Sequence, residues 1–351
     1  LAGVDWGRHE LCLLFNNGGG VFSEPVVHFI FDGAHPHGVI ARDIDGDNDL
    51  DIVVTDDLGH KFSLFSNDGS GKFTLLWHTS TYGMRPQNMG VGDFDHDGDM
   101  DYVAANSGWM DGVDSKVAVF KNDSTDGPLG IPSFQGYLAG VPQESCSLAA
   151  IVNDLDDDGN LDLIISSWLQ GVISVCWGDG EGGFSAADTY LTEGTAVQPD
   201  VADFNQDGFT DIVVCLFEAP KLQVFWGRSG RHFDHGPLLQ VDASEGAQPR
   251  FPAPADFDRD GDIDIATVQY GLGNVVIFEN QCPMGVTFRR GDSNADGATD
   301  LSDAITILLY IFGAETTALS CRDSADVNDD GAINLADAVG ILAYLFAGAE
   351  P

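Results

Sequence analysis

Positive charge is what this sequence has least of. Fifteen lysines and arginines stand against 56 aspartates and glutamates in 351 residues, a formal net charge of −41. Such a surface repels polyanions and excludes nucleic acid and anionic membrane as partners. Long apolar runs are missing too, and none approaches the ~20 residues of a membrane span. The six cysteines (Cys12, Cys146, Cys176, Cys215, Cys282 and Cys321) form no CxxC pair and no Cys/His metal spacing. No secretory leader is present, and the first residue is a Leu inside what reads as a repeat. A mature or truncated piece is therefore expected. No nucleophile elbow, phosphate-cradling loop or Ser/His/Asp order is visible to carry catalysis. The hydrophobic content of 43% is that of a globular core, so the acid does not signal disorder.

What is present is acid at a fixed spacing. Asp93-Phe94-Asp95-His96-Asp97-Gly98-Asp99-Met100-Asp101 places carboxylates at positions 1, 3, 5, 7 and 9 of a nine-residue window, with a turn glycine at position 6. Two carboxylates 4 Å apart repel by about 4 kcal/mol at an effective dielectric of about 20, so their convergence calls for a cation. Oxygen ligands at alternate positions around a tight turn suit Ca²⁺, which takes 6–8 oxygens. The expected ligands are the side chains of positions 1, 3, 5 and 9 and the backbone carbonyl of position 7.

The window recurs. Its first copy is Asp43, Asp45, Asp47, Asp49 and Asp51, with Asn48 at the turn. The third is Asp154, Asp156, Asp158, Asn160 and Asp162; the fourth is Asp203, Asn205, Asp207, Phe209 and Asp211; the fifth is Asp256, Asp258, Asp260, Asp262 and Asp264. The starts at 43, 93, 154, 203 and 256 lie 50, 61, 49 and 53 residues apart. About five calcium ions are expected here.

Between loops the pattern is regular. A short strand enters the loop (38–42), a β-branched strand leaves it (51–55), and an alternating strand follows (61–66). An Asn/Asp/Gly turn then leads into a fourth strand opening with Phe. Glu10 to Phe22 align with Lys61 to Phe73, so the chain opens in the second half of a repeat. Four short strands every ~50 residues predict the blades of a β-propeller, each stacking on its neighbours to bury both faces. Third-strand copies near 13, 63, 118, 174, 224 and 276 predict six blades, the first and last incomplete, with seven as the alternative. Cys176 occupies the position held elsewhere by Phe65, Phe120, Phe225 and Phe278 and reads as core filler.

These loops, with their GVxxxD approach and DIVV exit, resemble FG-GAP/VCBS repeats, the units of integrin-α-type propellers, over about residues 1–280. The resemblance implies structural Ca²⁺ in the loops, away from the ligand-binding face. Before the loops run polar, proline-bearing segments that a propeller would gather around one end of its axis. His35, His37, Arg85, Gln87, Gln198, Gln248 and Arg250 are accordingly the candidate ligand-binding rim, with solvated turns as the alternative reading. Trp6, Trp77, Trp109 and Trp168 are candidates for stacking on sugar rings or for core packing.

Residues 281–291 break the pattern as a linker, and the remainder, 292–351, has a different grammar. Asp292, Asn294, Asp296, Ala298 (by its carbonyl), Asp300 and Asp303 form a twelve-residue loop ahead of an apolar helical run. Asp326, Asn328, Asp330, Ala332, Asn334 and Asp337 repeat it 34 residues later. The spacing is that of EF-hand loops, with Asp at position 12. Two such loop–helix units resemble a type I dockerin, which implies two further calcium ions and a cohesin-like partner. This chain departs from that family at Leu301-Ser302 and Leu335-Ala336, where a Ser/Thr pair is usual, and it lacks basic residues along the helices. An apolar docking surface and simple intramolecular packing are the competing readings. Arg290-Gly291-Asp292 spells an adhesion tripeptide, but Asp292 is claimed by the loop. Cys282 and Cys321 bracket this region as a plausible disulfide.

The expected fold is mostly β: a six- or seven-bladed propeller followed by a small α-helical C-terminal domain with two EF-hand-like loops. The leading function is that of a secreted or cell-surface, non-catalytic calcium protein. Its propeller would bind a protein or polysaccharide, and its dockerin-like tail would tether it. A polysaccharide-active enzyme using His35, His37 or Arg85, and a purely structural assembly protein, are the alternatives.

Overall fold

The structure is a computed structural model. It describes residues 2–5, 7–18, 21–29, 35–108, 116–123, 128–141, 146–217, 219–241, 248–258, 262–270, 272–280, 290–294, 298–312, 322–328 and 333–347. Six antiparallel sheets follow one another along the chain among these residues, each with its strands in sequence order. Blade 1 comprises Ala2–Asp5, Glu10–Leu13 and Val26–Phe29. Blade 2 comprises Pro36–Arg42, Asp51–Asp56, Lys61–Asn67 and Phe73–Ser80, and blade 3 Pro86–Gly92, Asp101–Asn106, Lys116–Lys121 and Ser133–Tyr137. Blade 4 runs through Ser147–Asn153, Asp162–Ser167, Val172–Cys176 and Asp188–Leu191. Blade 5 runs through Ala196–Ala202, Asp211–Leu216, Lys221–Arg228 and His232–Gln240. Blade 6 holds Pro249–Ala255, Asp264–Gln269 and Asn274–Phe278.

The first strands of blades 2 to 6 pack each on the next, and the opening strand of blade 1 lies against blade 2. This is a six-bladed propeller with the first strands around its axis. Among the described residues the terminal blades show three strands each, and different ones. Asp5 pairs Glu10 across the same turn length by which Asp56 pairs Lys61, so the strands of blade 1 match the second to fourth of the other blades. Blade 6 shows the first three.

The second strand of each of blades 2 to 5 is buried along its whole length. Successive side chains on a strand point to opposite faces, and here the two faces serve different blade junctions. Tyr102 and Ala104 pack with blade 2 residues such as Phe62 and Trp77, whereas Val103 and Ala105 join Leu163 and Ile165 of blade 4. Ile164 turns the other way, onto Ile212 and Phe225 of blade 5. Cys176 is fully buried in the junction of blades 3 and 4, and burial pushes its thiol up to about 12. It is core filler, as its repeat position predicts. Trp77 is buried as well, with its indole N–H donating to the Leu129 carbonyl at 2.8 Å. Trp6 and Trp109 lie outside the described residues.

The C-terminal region contributes α1 (Leu301–Phe312), α2 (Arg322–Ala325) and α3 (Leu335–Ala347). Ala304, Ile307, Ala325, Ala338 and Ile341 form their shared core. Among the described residues no helix is long and apolar enough to cross a membrane.

The junction packing sets an expectation. Truncating Ile164, which is 1% exposed, removes most of a buried side chain between two blades. Ile164→Ala is expected to cost 2–5 kcal/mol of unfolding free energy, the range for such core truncations. Equilibrium denaturant unfolding measures it.

Candidate calcium loops and axial rim

Each acidic loop is built around a buried aspartate at position 9. Asp51, Asp101, Asp162, Asp211 and Asp264 are at most 1% exposed, at the head of the second strand. One oxygen accepts the N–H of the residue at position 2: Ile44, Phe94, Leu155, Phe204 and Phe257, at 2.9 to 3.1 Å. The other accepts an N–H just past or at the end of the third strand: Asn67, Asn122, Gly178, Gly227 and Asn280, each at 2.8 Å. One carboxylate thus joins the loop, the second strand and the third strand in every copy. Spacing alone marks position 9 as a ligand but not as this brace, because its partner lies 16 or 21 residues onward.

The position-1 side chains turn the loop. Asp93 accepts the N–H groups of Asp97 and Gly98, and Asp203 those of Asp207 and Gly208. Asp43 accepts from Gly46 and Asn48, and Asp154 from Gly159. Position-5 oxygens accept the position-7 N–H from Asp49, Asp99, Asn160 and Phe209. Two residues per loop sit in left-handed backbone. Position 6 does so as expected (Asn48 at φ 70°, Gly98 at 94°, Gly159 at 89°, Gly208 at 88°). Position 4 does so as well, through Gly46, His96, Asp157 and Gln206. For non-glycine residues that conformation is strained. In the fifth loop Asp256 and Asp258 are exposed, Asp262 is buried, and Asp260 lies outside the described residues.

Carboxylate oxygens of positions 1, 3 and 9 come within 4.8 Å of one another in four loops: Asp43/Asp45/Asp51, Asp93/Asp95/Asp101, Asp154/Asp156/Asp162 and Asp256/Asp258/Asp264. Hard anionic oxygens at that separation fit a divalent cation. Burial pushes Asp101 and Asp162 up to about 6 and Asp211 up to about 8, with neighbouring acidic groups adding to the rise.

The C-terminal loops follow the same logic. Asp303 and Asp337, both fully buried at position 12, accept N–H groups from Asn294 and Asp300 and from Val327, Asn328 and Asn334. Asp300 and Asn334 cap α1 and α3 by accepting the N–H groups of Ser302 and Ala336. Asp292 and Asp326 are buried. Arg290 donates to the Asp326 carbonyl at 2.6 Å, so the Arg290-Gly291-Asp292 tripeptide is folded into the structure rather than displayed. Ala298 is described; Asp296, Asp330, Ala332, Cys282 and Cys321 are outside the described residues. Leu301, Ile305, Leu309 and Phe312 line an exposed apolar stripe on α1, repeated on α3 by Leu335, Val339 and Phe346.

At the opposite end of the strands lies the rim. Arg85 pairs with the buried Asp57 at 3.3 Å, and its backbone N–H donates to the His60 ring. His37 meets the Gln87 carbonyl through Nδ1 at 3.0 Å. Its ring keeps an exposed surface, yet the protein crowded around it lowers its pKa, against the pull of Asp57. Arg250 of blade 6 and His37 of blade 2 sit at the same end of the first strands of their blades. Arg250 is caged by Phe217 at 4.4 Å, Trp168 at 5.7 Å and Tyr270 at 5.9 Å. Gln87 and Gln198 are buried; Gln248 and His35 are half-buried, and the His35 ring stacks on His9. Gln198, Gln248 and His35 are therefore less available than the proline-bearing segments suggest. Asp57, Phe217 and Tyr270 belong to the rim by position and carry no motif that a repeat alignment would flag.

Compared with family models, the chain matches the FG-GAP-like repeat over residues 43–104, 154–214 and 203–267, together just over half its length. The chain belongs to the FG-GAP-like repeat family. Its C-terminal region matches the type I dockerin domain over residues 290–346. No protein of curated function matches it. Two solved structures share the fold. One, from Lactobacillus plantarum, is 17% identical, with a TM-score of 0.54 over 79% of this chain and 76% of that one. The other is a functionally unknown protein of Desulfotomaculum acetoxidans, 11% identical, with a TM-score of 0.53 over 79% and 78%.

Two outcomes are expected of these FG-GAP-like loops. With calcium chelated, Asp101→Ala leaves two N–H groups unpaired and should cost about 2–6 kcal/mol, from 1–3 for each buried orphan. Asp99→Ala, at a half-buried position whose backbone rather than side chain makes the loop hydrogen bond, should stay within about 0.5 kcal/mol. Denaturant unfolding of the two variants separates them. The pH dependence follows from the raised carboxyls of Asp101, Asp162 and Asp211. The folded state holds their protons more tightly than the unfolded chain, so this contribution is present below about pH 4. It is lost as pH rises through about 6 and then about 8. Without calcium, the melting temperature should fall over that window, and millimolar calcium should flatten the fall.

Proposed function

We propose that this FG-GAP-like chain is an extracellular, calcium-stabilised binding module. Its dockerin holds it to a cohesin partner, and its axial rim captures a protein or glycan ligand. The observation that carries the reading is the placement of His37, the Arg85–Asp57 pair and aromatic-caged Arg250 at one end of the first strands, in a chain that also bears a docking domain. Calcium would be held by the carboxylates of positions 1, 3, 5 and 9 with the position-7 carbonyl, and by the two C-terminal loops. Bound there, it would neutralise mutual repulsion. The protein's own contribution is the buried position-9 brace, which keeps the seat open at fixed geometry. Millimolar extracellular calcium suits many modest sites of this kind. At the mouth, Arg250 offers hydrogen-bond donors while Trp168, Phe217 and Tyr270 offer ring faces, the combination that grips a sugar ring. His37, held towards its neutral form beside Asp57, supports a second reading in which the bound polysaccharide is cleaved.

The test incubates the full chain in millimolar calcium with a panel of polysaccharides and assays retained protein and new chain ends together. Retention on one glycan without new ends, weakened at least tenfold in Arg250→Ala, is the expected result. New ends that disappear in His37→Ala would make the protein an enzyme. No retention on any glycan would remove the glycan half of the proposal.

A further inference from the structure

The fourth loop differs from its siblings in a way that changes what it can hold. In the first two loops the position-3 aspartate accepts the position-5 N–H with one oxygen: Asp45 from Asp47 and Asp95 from Asp97, both at 3.3 Å. Asp45 keeps its second oxygen for a cation, whereas that of Asp95 meets Lys121. The fourth loop has Asn205 at this position. Its Oδ1 accepts the Asp207 N–H at 2.9 Å, leaving Nδ2, a donor, directed at Asp207 Oδ2 at 3.0 Å. Turning the amide round would set Nδ2 against the Asp207 N–H and Oδ1 against a carboxylate oxygen, two contacts of like polarity. The amide is therefore fixed with its nitrogen towards the seat.

A resident cation completes the arrangement. Arg228, at the end of the third strand of blade 5, donates through Nη1 to Asp207 Oδ2 at 3.0 Å and to the Gly227 carbonyl at 3.3 Å. Its Nε donates to Asp234 at 3.0 Å. The Arg228 side chain is 15% exposed and that of Asp207 2%. Basic side chains touch the second and third loops too, from more exposed positions. Lys121 on Asp95 is 28% exposed, and Arg231 on Asp156 and Asp158 is 43% exposed. Arg228 is the least exposed of the three, and a divalent ion at Asp207 would have to share one carboxylate oxygen with a guanidinium.

We propose that the fourth loop is closed by Arg228 in place of calcium and holds without metal. The proposal rests on the reading of the other loops as calcium sites. Its test strips the full chain with chelator, re-equilibrates it with calcium and counts bound ions by elemental mass spectrometry, with circular dichroism confirming the fold. Asp47→Ala in the first loop is expected to lose one ion per chain, and Asp207→Ala to lose none. The double variant Asn205→Asp/Arg228→Met, which restores the oxygen and removes the guanidinium, is expected to gain one. Equal loss in the two alanine variants, or no gain in the double variant, would overturn the proposal. No ion bound to any form would instead overturn the calcium reading itself.

Discussion

The propeller depends on one hydrogen-bonded carboxylate repeated five times. The position-9 aspartate spends both oxygens on backbone N–H groups from two different parts of its blade, and it does so out of water. A buried carboxylate is costly unless its oxygens are paired. Pairing them with the turn on one side and the third strand on the other fixes the angle at which the first strand hands over to the second. Everything downstream follows from that angle: the first strands reach the axis, the second strands lie wholly between neighbours, and the approach segments gather at the far end.

Acid at one end of the strands and a mixed rim at the other divide the labour of the fold. The loop end tolerates high charge density because its hydrogen bonds are local and, in the proposed reading, a cation answers what they leave over. The rim end needs neither. There the Arg85–Asp57 pair is internally neutral, and Arg250 is held by ring faces rather than by a carboxylate. In a chain of such negative charge, keeping an arginine half-buried against aromatics is a way to leave its donors turned towards something other than the protein's own acid.

The architecture was legible in the sequence because its period is. Loops every ~50 residues, β-branched exits and Phe at matched positions give blades, their order and their incomplete ends, and even the buried fate of Cys176. The C-terminal loop–helix pair was equally plain from its twelve-residue spacing. Hidden from the sequence were the longer-range contacts, such as the brace from Asp101 to Asn122, which spans 21 residues within one blade. The left-handed backbone at His96, Asp157 and Gln206 was hidden as well, because none of these is a residue that advertises a turn. The rim candidates were read from position alone, and Gln198 and Gln248 show the limit of that, since register decides whether a polar side chain faces the mouth or a blade junction.

The two ends of the ring carry a further consequence. In the interior blades each second strand shares one face with the blade before and one with the blade after. The last blade leaves Val268, Val275 and Ile277 exposed, and the first leaves Val26 and Val27 exposed. An interior blade is thus clamped from both sides and a terminal blade from one. Local opening free energy should then be graded along the chain as in a linear array, with the terminal blades fraying first and blades 3 and 4 exchanging their amide protons last.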